Sequence, residues 1–83
     1  MEMLRMGRNH IAVLIKLGIK GEMLFTEIRK LTQGPYHYTE GILLDLKRWG
    51  LIKEERAGRK RIFKLTEKGK EIASFYLRLA SQT

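Results

Sequence analysis

Apolar residues between positions 8 and 18 recur at helical spacing on two faces of one predicted helix. The first face carries Ile11, Leu14 and Ile15. The second carries His10, Val13 and Leu17. A helix that is apolar on two faces has to be covered on two sides. We expect Gly18 and Gly21 to end this helix, because glycine readily adopts the conformation that follows a last helical turn.

The pattern then predicts a second and a third helix joined by a short turn. Residues 23–25 form a short extended segment, after which Thr26 is placed to act as the N-cap of a helix over residues 26–33. Pro35 interrupts the helical pattern, since proline disfavours helical geometry in the residue before it. The third helix covers residues 36–49, and its inward positions are Ile42, Leu43, Leu46 and Trp49.

A hairpin and a last helix complete the predicted order. Gly50 suits the position just after the third helix, and residues 51–65 predict two strands joined by a turn at 57–60. Thr66 is placed to cap a helix over residues 66–81. One face of that helix carries Ile72, Phe75, Tyr76 and Leu79. The fold class predicted from this order is mostly α with a small β-hairpin (α+β).

The small size of the chain bears on its assembly. Its 83 residues predict one domain over positions 1–83, with a small core and no cysteine to form a disulfide. Oligomerisation is a common remedy for a small core. We therefore predict a homodimer whose interface is formed by Ile11, Leu14, Ile72, Phe75, Tyr76 and Leu79. In the alternative, the first and last helices cover each other within one chain.

Charge is concentrated in the second half of the chain. The net charge is +8, and the segment from Lys47 to Lys64 holds eight basic residues against two acidic ones, a net charge of +6. Such a concentration favours a polyanionic partner, of which nucleic acid is the first candidate. Composition alone is equally compatible with a basic protein that simply stays in solution.

Together, these elements predict a winged helix-turn-helix. Two helices joined by a short glycine-containing turn form a helix-turn-helix unit, whose second helix fits the major groove of DNA. The hairpin that follows is a wing, and its basic tip can reach flanking phosphates or the minor groove. Such an arrangement needs a rigid helix for the base edges and mobile cations for the backbone.

The second half of the chain resembles the MarR- and PadR-type winged-helix regulators. The resemblance covers residues 24–80 and is carried by Leu43, Leu46, Gly50, Leu51, Ile52, Arg59, Leu65, Thr66 and Gly69. Small archaeal regulators share this compact form. The resemblance implies a transcriptional regulator that occupies an operator in double-stranded DNA. Most MarR proteins have extra dimerisation helices at both ends, which this chain lacks, so we expect no small-molecule effector.

The predicted DNA-binding residues lie in the second and third helices and the wing. They are Thr26, Tyr36, His37, Tyr38, Glu40, Gly41, Leu44, Lys47, Arg48, Arg56, Arg59, Lys60 and Arg61. Arg48 is a candidate for a guanine or a phosphate, and Glu40 for a cytosine amino group. Leu44 faces outward, where it can touch a thymine methyl or be covered by the wing or by a partner chain.

Several of these residues have structural alternatives. The basic turn can be merely solvated, and Glu40 can pair with Lys47, Arg48 or the wing. At least one of the two tyrosines is expected to be structural. Gly41 lets the helix backbone approach either the groove floor or a neighbouring element.

Other functions lack the residues that they need. No nucleophile–base pair or phosphate-binding loop stands out, so we expect no catalytic residue, enzyme activity or cofactor. His10 and His37 lack further ligands at metal-binding spacing, so we expect no metal. The apolar stretch over residues 11–17 is too short to span a bilayer, so we expect a cytoplasmic protein without a membrane partner. The remaining alternatives are a winged helix for protein–protein contact and a non-specific chromatin-type protein.

Overall fold

The computed structural model describes residues 6–81, and the predicted order of elements is confirmed there. The elements are α1 (Arg8–Lys20), β1 (Glu22–Leu24), α2 (Phe25–Thr32), α3 (Tyr36–Arg48), β2 (Ile52–Ala57), β3 (Lys60–Leu65) and α4 (Glu67–Ser81). The hairpin of β2 and β3 with its turn is the wing. The remaining predicted positions, 1–5 and 82–83, lie outside the described residues.

The three strands form an antiparallel sheet in the order β1-β3-β2. Phe63 lies in the central strand, where it pairs with Met23 on one side and Glu54 on the other. Side chains alternate between the two faces of a strand, so Phe63 and Leu65 share a face, and both are buried. The short β1 pairs with β3 and leads directly into α2, so it joins the wing to the helical layer.

The core lies between the sheet and the helices, as the helical spacing predicts. Its fully buried members include Val13 and Leu14 of α1, Ile28 of α2 and Leu46 of α3. One polar pair is also buried between α2 and α3. The hydroxyls of its two members, Thr32 and Thr39, are 2.9 Å apart and hydrogen-bond each other, so neither is left unsatisfied.

The prediction that Gly18 helps to end α1 is wrong. The helix continues through Gly18 to Lys20 and ends at Gly21, whose φ of 89° suits glycine. A Cβ at position 18 would lie 3.3 Å from the Cβ of Ala73. Gly18 therefore serves the close approach of α4, which no local signal in α1 reveals.

The prediction that Thr26 caps α2 is also wrong. The helix begins at Phe25, and Leu24 occupies the cap position. Glu27 supplies the missing acceptor, because its carboxylate accepts the Leu24 N–H at 2.8 Å. The same carboxylate pairs with Lys20 of α1 at 2.8 Å. A side chain within the first turn thus satisfies a free backbone N–H at the start of the helix, as in half of a capping box.

The predicted residues on either side of the wing, Gly50 before it and Thr66 after it, are confirmed. The Thr66 hydroxyl accepts the Gly69 N–H at 3.1 Å and donates to the Gly50 carbonyl at 2.6 Å. Gly50 has a φ of 74°, which favours glycine. A Cβ at position 69 would lie 2.0 Å from the Leu51 carbonyl oxygen. This junction therefore fixes the start of α4 against the base of the wing.

Candidate nucleic-acid interface

The outward face of α3 is formed by four residues that we call the α3 stripe: His37, Gly41, Leu44 and Arg48. They lie at positions i, i+4, i+7 and i+11, which share one side of a helix, and all four are exposed. The opposite side of α3 is buried in the core as predicted. Leu44 keeps 48% of its surface exposed despite being apolar.

The wing holds one flank of α3 through Arg61. The Arg61 guanidinium donates to both oxygens of Glu40 at 2.6 and 3.1 Å, and its Nε donates to Glu54 at 2.6 Å. Its carbon lies 4.8 Å from the ring centre of Phe25 and 5.3 Å from that of Phe63. Arg61 therefore joins α3, the wing and the start of α2, and its side chain is only 18% exposed.

The electrostatics of this cluster follow from the same contacts. Arg61, with help from Lys47, lowers the pKa of Glu54 from 4.5 to about 2 against the opposing effect of burial. The Arg61 hydrogen bonds also lower the pKa of Glu40, and the two carboxylates raise that of Arg61. A hydrogen bond to Glu40 raises the pKa of the Tyr36 hydroxyl. Arg61, Glu40 and Glu54, which we call the Arg61 cluster, are thus charged at neutral pH, whereas the Tyr36 hydroxyl stays protonated.

These contacts narrow the earlier alternatives. Glu40 pairs with the wing, which was one of the outcomes left open, and its carboxylate is occupied. Lys47 pairs with Glu54 and lies near the Phe63 ring. Contact of Glu40, Lys47 and Arg61 with DNA stays a prediction, but all three already have partners in their own chain.

The helix α1 holds the opposite flank of α3. His10 Nδ1 accepts the Gly7 N–H at 3.1 Å, so the proton of the neutral ring lies on Nε2 and is donated to Asp45 at 2.9 Å. The His10 ring also lies 5.3 Å from that of Trp49, which is half-buried against the core. Asn9 donates to the Tyr38 hydroxyl at 2.9 Å. His10 is therefore at a helix interface.

The wing tip, which we define as Arg56, Arg59 and Lys60, is exposed. Its turn is made possible by Gly58, whose φ is 63°. A cleft of about 260 Å³ separates the wing from the first turns of α2 and α3, and its lining includes Thr26, Tyr36, Arg59 and Lys60. Tyr36 also packs against Phe25, with 5.0 Å between ring centres. The cleft is thus bordered by two cations of the wing tip on one side and by the first turn of α3 on the other.

Sequence reasoning did not distinguish Arg61 from its basic neighbours, although a signal was available. Arg61 precedes Phe63 by two residues, so strand alternation places it on the inward face. Lys60 falls on the other face. The hairpin register also places Glu54 diagonally across from Arg61 on the same face, whereas the choice of Arg61 as the wing partner of Glu40 depends on how the wing packs against α3.

Burial within the chain divides the residues predicted for the dimer interface into three groups. Leu14 is 0% exposed within its own chain, so its assignment to the interface is wrong. Ile11, Ile72 and Tyr76 are half-buried. Two residues of α4 remain largely exposed, Phe75 at 52% and Leu79 at 47%. We call the four α4 residues among these the α4 patch: Ile72, Phe75, Tyr76 and Leu79.

Residues 6–81 contain neither a metal-binding cluster nor a membrane-spanning helix. No three histidine, aspartate or glutamate side chains in this part of the chain come together in a way that could hold a metal. None of its helices has both the length and the apolar composition needed to cross a bilayer.

Comparison with known proteins gives matches at the level of structure. No protein-family model and no curated protein matches the sequence. The adhesin competence repressor AdcR of Streptococcus pyogenes is 17% identical, with a TM-score of 0.85 over 95% of this chain and 59% of that one. FabT of Streptococcus pneumoniae, solved in complex with DNA, is 18% identical, with a TM-score of 0.85 over 94% of this chain and 57% of that one.

A third similar structure is that of a transcriptional regulator homologue from Pyrococcus horikoshii. It is 20% identical, with a TM-score of 0.74 over 88% of this chain and 76% of that one. The chain spans less than two thirds of the length of AdcR and FabT. With its predicted elements in the predicted order, the chain has the winged helix-turn-helix fold of these transcriptional regulators.

Proposed function

We propose that this protein regulates transcription by binding double-stranded DNA at specific sequences. In this proposal the α3 stripe enters the major groove, and the wing tip contacts flanking phosphates or the minor groove. Binding requires no cofactor and no catalysis. The observation that carries the proposal is the Arg61 cluster, which fixes an exposed helix face beside exposed cations.

Charge and shape support the same proposal. The major groove is wide enough to admit a helix, and the exposed stripe presents its side chains without disturbing the core. Cations at the wing tip can approach phosphates while the helix remains in place. The solved complex of FabT with DNA is that of a protein with this fold.

We further propose that the protein acts as a homodimer through the α4 patch and Ile11. Exposed apolar side chains on a small domain favour association. A two-fold dimer would place two copies of α3 on half-sites separated by a whole number of helical turns.

Salt dependence tests whether the wing tip contacts DNA. Each phosphate contact contributes about 0.9 to the slope of log affinity against log salt concentration. The double variant Arg59→Ala/Lys60→Ala should therefore bind all sequences more weakly and reduce the magnitude of the slope by about 1.8. The measurement is a salt titration of binding to a duplex selected from a random pool and to an unrelated duplex.

A matched control removes two exposed cations away from the wing. Lys16→Ala/Arg78→Ala causes the same loss of charge on α1 and α4. This variant should keep the wild-type slope. Equal slopes for the wing variant and the wild type would show that the wing does not contact DNA. Equal affinity for the selected and unrelated duplexes would favour the non-specific chromatin-type alternative.

A further inference from the structure

Both carboxylates of α3 already accept hydrogen bonds from other side chains of the same chain. Glu40 is held by Arg61 on the wing flank, and Asp45 accepts from His10 on the α1 flank. The α3 stripe itself contains no acidic residue, and Asp45, which borders the same groove, is already hydrogen-bonded to His10. An aspartate or glutamate is the usual acceptor for the cytosine amino group, and no residue of the stripe can supply one.

We propose that the α3 stripe reads a thymine and a guanine, an inference that rests on the proposed function. Leu44 contacts the C5-methyl group of the thymine. Arg48 donates two hydrogen bonds to O6 and N7 of the guanine. Leu44 and Arg48 are thus specificity-determining residues, whereas the wing tip contributes affinity.

The surroundings of Leu44 support the thymine contact. The side chain is 48% exposed, and it borders an open groove of about 350 Å³ whose lining includes His37, Gly41 and Asp45. A Cβ at position 41 would have no atom within 4 Å, so there is free space one turn before Leu44. The thymine methyl is the one apolar group that bases present in the major groove. An apolar side chain at the centre of the stripe therefore matches thymine better than any other base.

Arg48 lies one turn beyond Leu44 on the same side. It is exposed, and no carboxylate of residues 6–81 forms an ion pair with it, unlike Arg61. A free guanidinium offers paired donors whose spacing matches the two acceptors of guanine. Four helical residues span about 6 Å, close to two base steps of about 3.4 Å. The thymine and the guanine should therefore lie one or two steps apart.

Replacing thymine by uracil tests the Leu44 contact, because only the methyl group is removed. The preferred duplex is first selected from a random pool with the full chain. Each thymine is then replaced by uracil in turn. Wild-type affinity should fall about fourfold at one position, the value expected for one buried methyl group. Leu44→Ala should bind the thymine and uracil duplexes equally well.

Two further variants complete the test. Arg59→Ala, outside the stripe, should bind more weakly but keep the fourfold preference for thymine. Arg48→Ala removes the donors altogether, so preference for guanine at one position should fall about tenfold, within the range for a bidentate contact. Circular dichroism of each variant establishes that the fold is retained.

The outcomes separate this inference from the function on which it rests. If no thymine can be replaced by uracil with loss of affinity, or if Leu44→Ala keeps the preference, the thymine contact is wrong. An unchanged base profile for Arg48→Ala would overturn the guanine contact. Failure of the wild-type chain to bind any duplex at low salt would instead overturn the proposed function itself.

Discussion

Arg61 lies within the candidate interface, where its positive charge is ion-paired to the carboxylates of Glu40 and Glu54. Its basic neighbours Arg59 and Lys60 are exposed. From the sequence, the three cations are equivalent members of a basic turn. The difference arises from strand alternation and from partners on α3 and β2. The alternation and the β2 partner can be inferred from the hairpin, whereas the α3 partner depends on tertiary packing. The basic character of the turn could thus be read from the sequence, whereas the full set of contacts that distinguishes Arg61 could not.

The pKa of Glu54 gives a prediction at this scale. Its folded value of about 2 lies below the 4.5 of a free side chain, so the unfolded chain binds more protons between these values. The contribution of Glu54 to the free energy of unfolding is therefore complete above pH 4.5 and declines as the pH falls towards 2. Glu54→Gln should lower stability at pH 7 and reduce the loss on acidification.

Chemical denaturation at a series of pH values measures this effect. Glu71→Gln is a suitable control, because Glu71 is an exposed carboxylate on α4. The control should keep the wild-type decline between pH 4.5 and 2. A Glu54→Gln variant with an undiminished acid decline would contradict the assigned role of the Arg61 cluster.

At the scale of elements, local signals located every helix and both wing strands in the described chain. Helical spacing, the Gly50 turn and the Thr66 cap each act within a few residues, so they can be read from sequence. The two errors concern Gly18 and Thr26. Gly18 stays helical because α4 packs against it, which no local signal reveals, whereas Leu24 takes the cap position of α2 and Glu27 accepts its N–H.

Two glycines in helices should respond oppositely to alanine. Gly69→Ala forces a Cβ against the Leu51 carbonyl, so it should destabilise the fold by about 3 kcal/mol, the upper end for overpacking. Gly41→Ala meets open space and improves helix propensity, so it should stabilise by about 1 kcal/mol. Denaturant titration measures both values, and the two variants serve as controls for each other. A tolerated alanine at position 69 would contradict the close junction between the wing and α4.

At the scale of the whole molecule, α1 and α4 pack against each other within one chain. This packing is part of the alternative to a dimer, in which the two helices cover each other. That packing still leaves the α4 patch uncovered by the described chain at Phe75 and Leu79. Whether a helix face is buried within a chain or between chains depends on the arrangement of all elements. The apolar spacing of α4 alone therefore could not separate the two alternatives.

Sedimentation at micromolar concentration tests the dimer. The wild type should have twice the 9.7 kDa mass of the chain. Phe75→Glu should sediment as a monomer, because it places a charge within the apolar patch. Ser74→Glu adds the same charge at an exposed position outside that patch and should remain dimeric. A wild-type monomer under these conditions would overturn the assembly proposed above.

The exposure of the α3 stripe has a consequence for how this protein can diverge. None of its four residues belongs to the buried core, and both flanks of the helix are held by other side chains. Exchange of stripe residues therefore changes the surface offered to a target at little cost to folding. Descendants of one such protein can acquire new targets while the scaffold drifts independently. A TM-score of 0.85 at 17% identity shows how far sequences can differ on this scaffold.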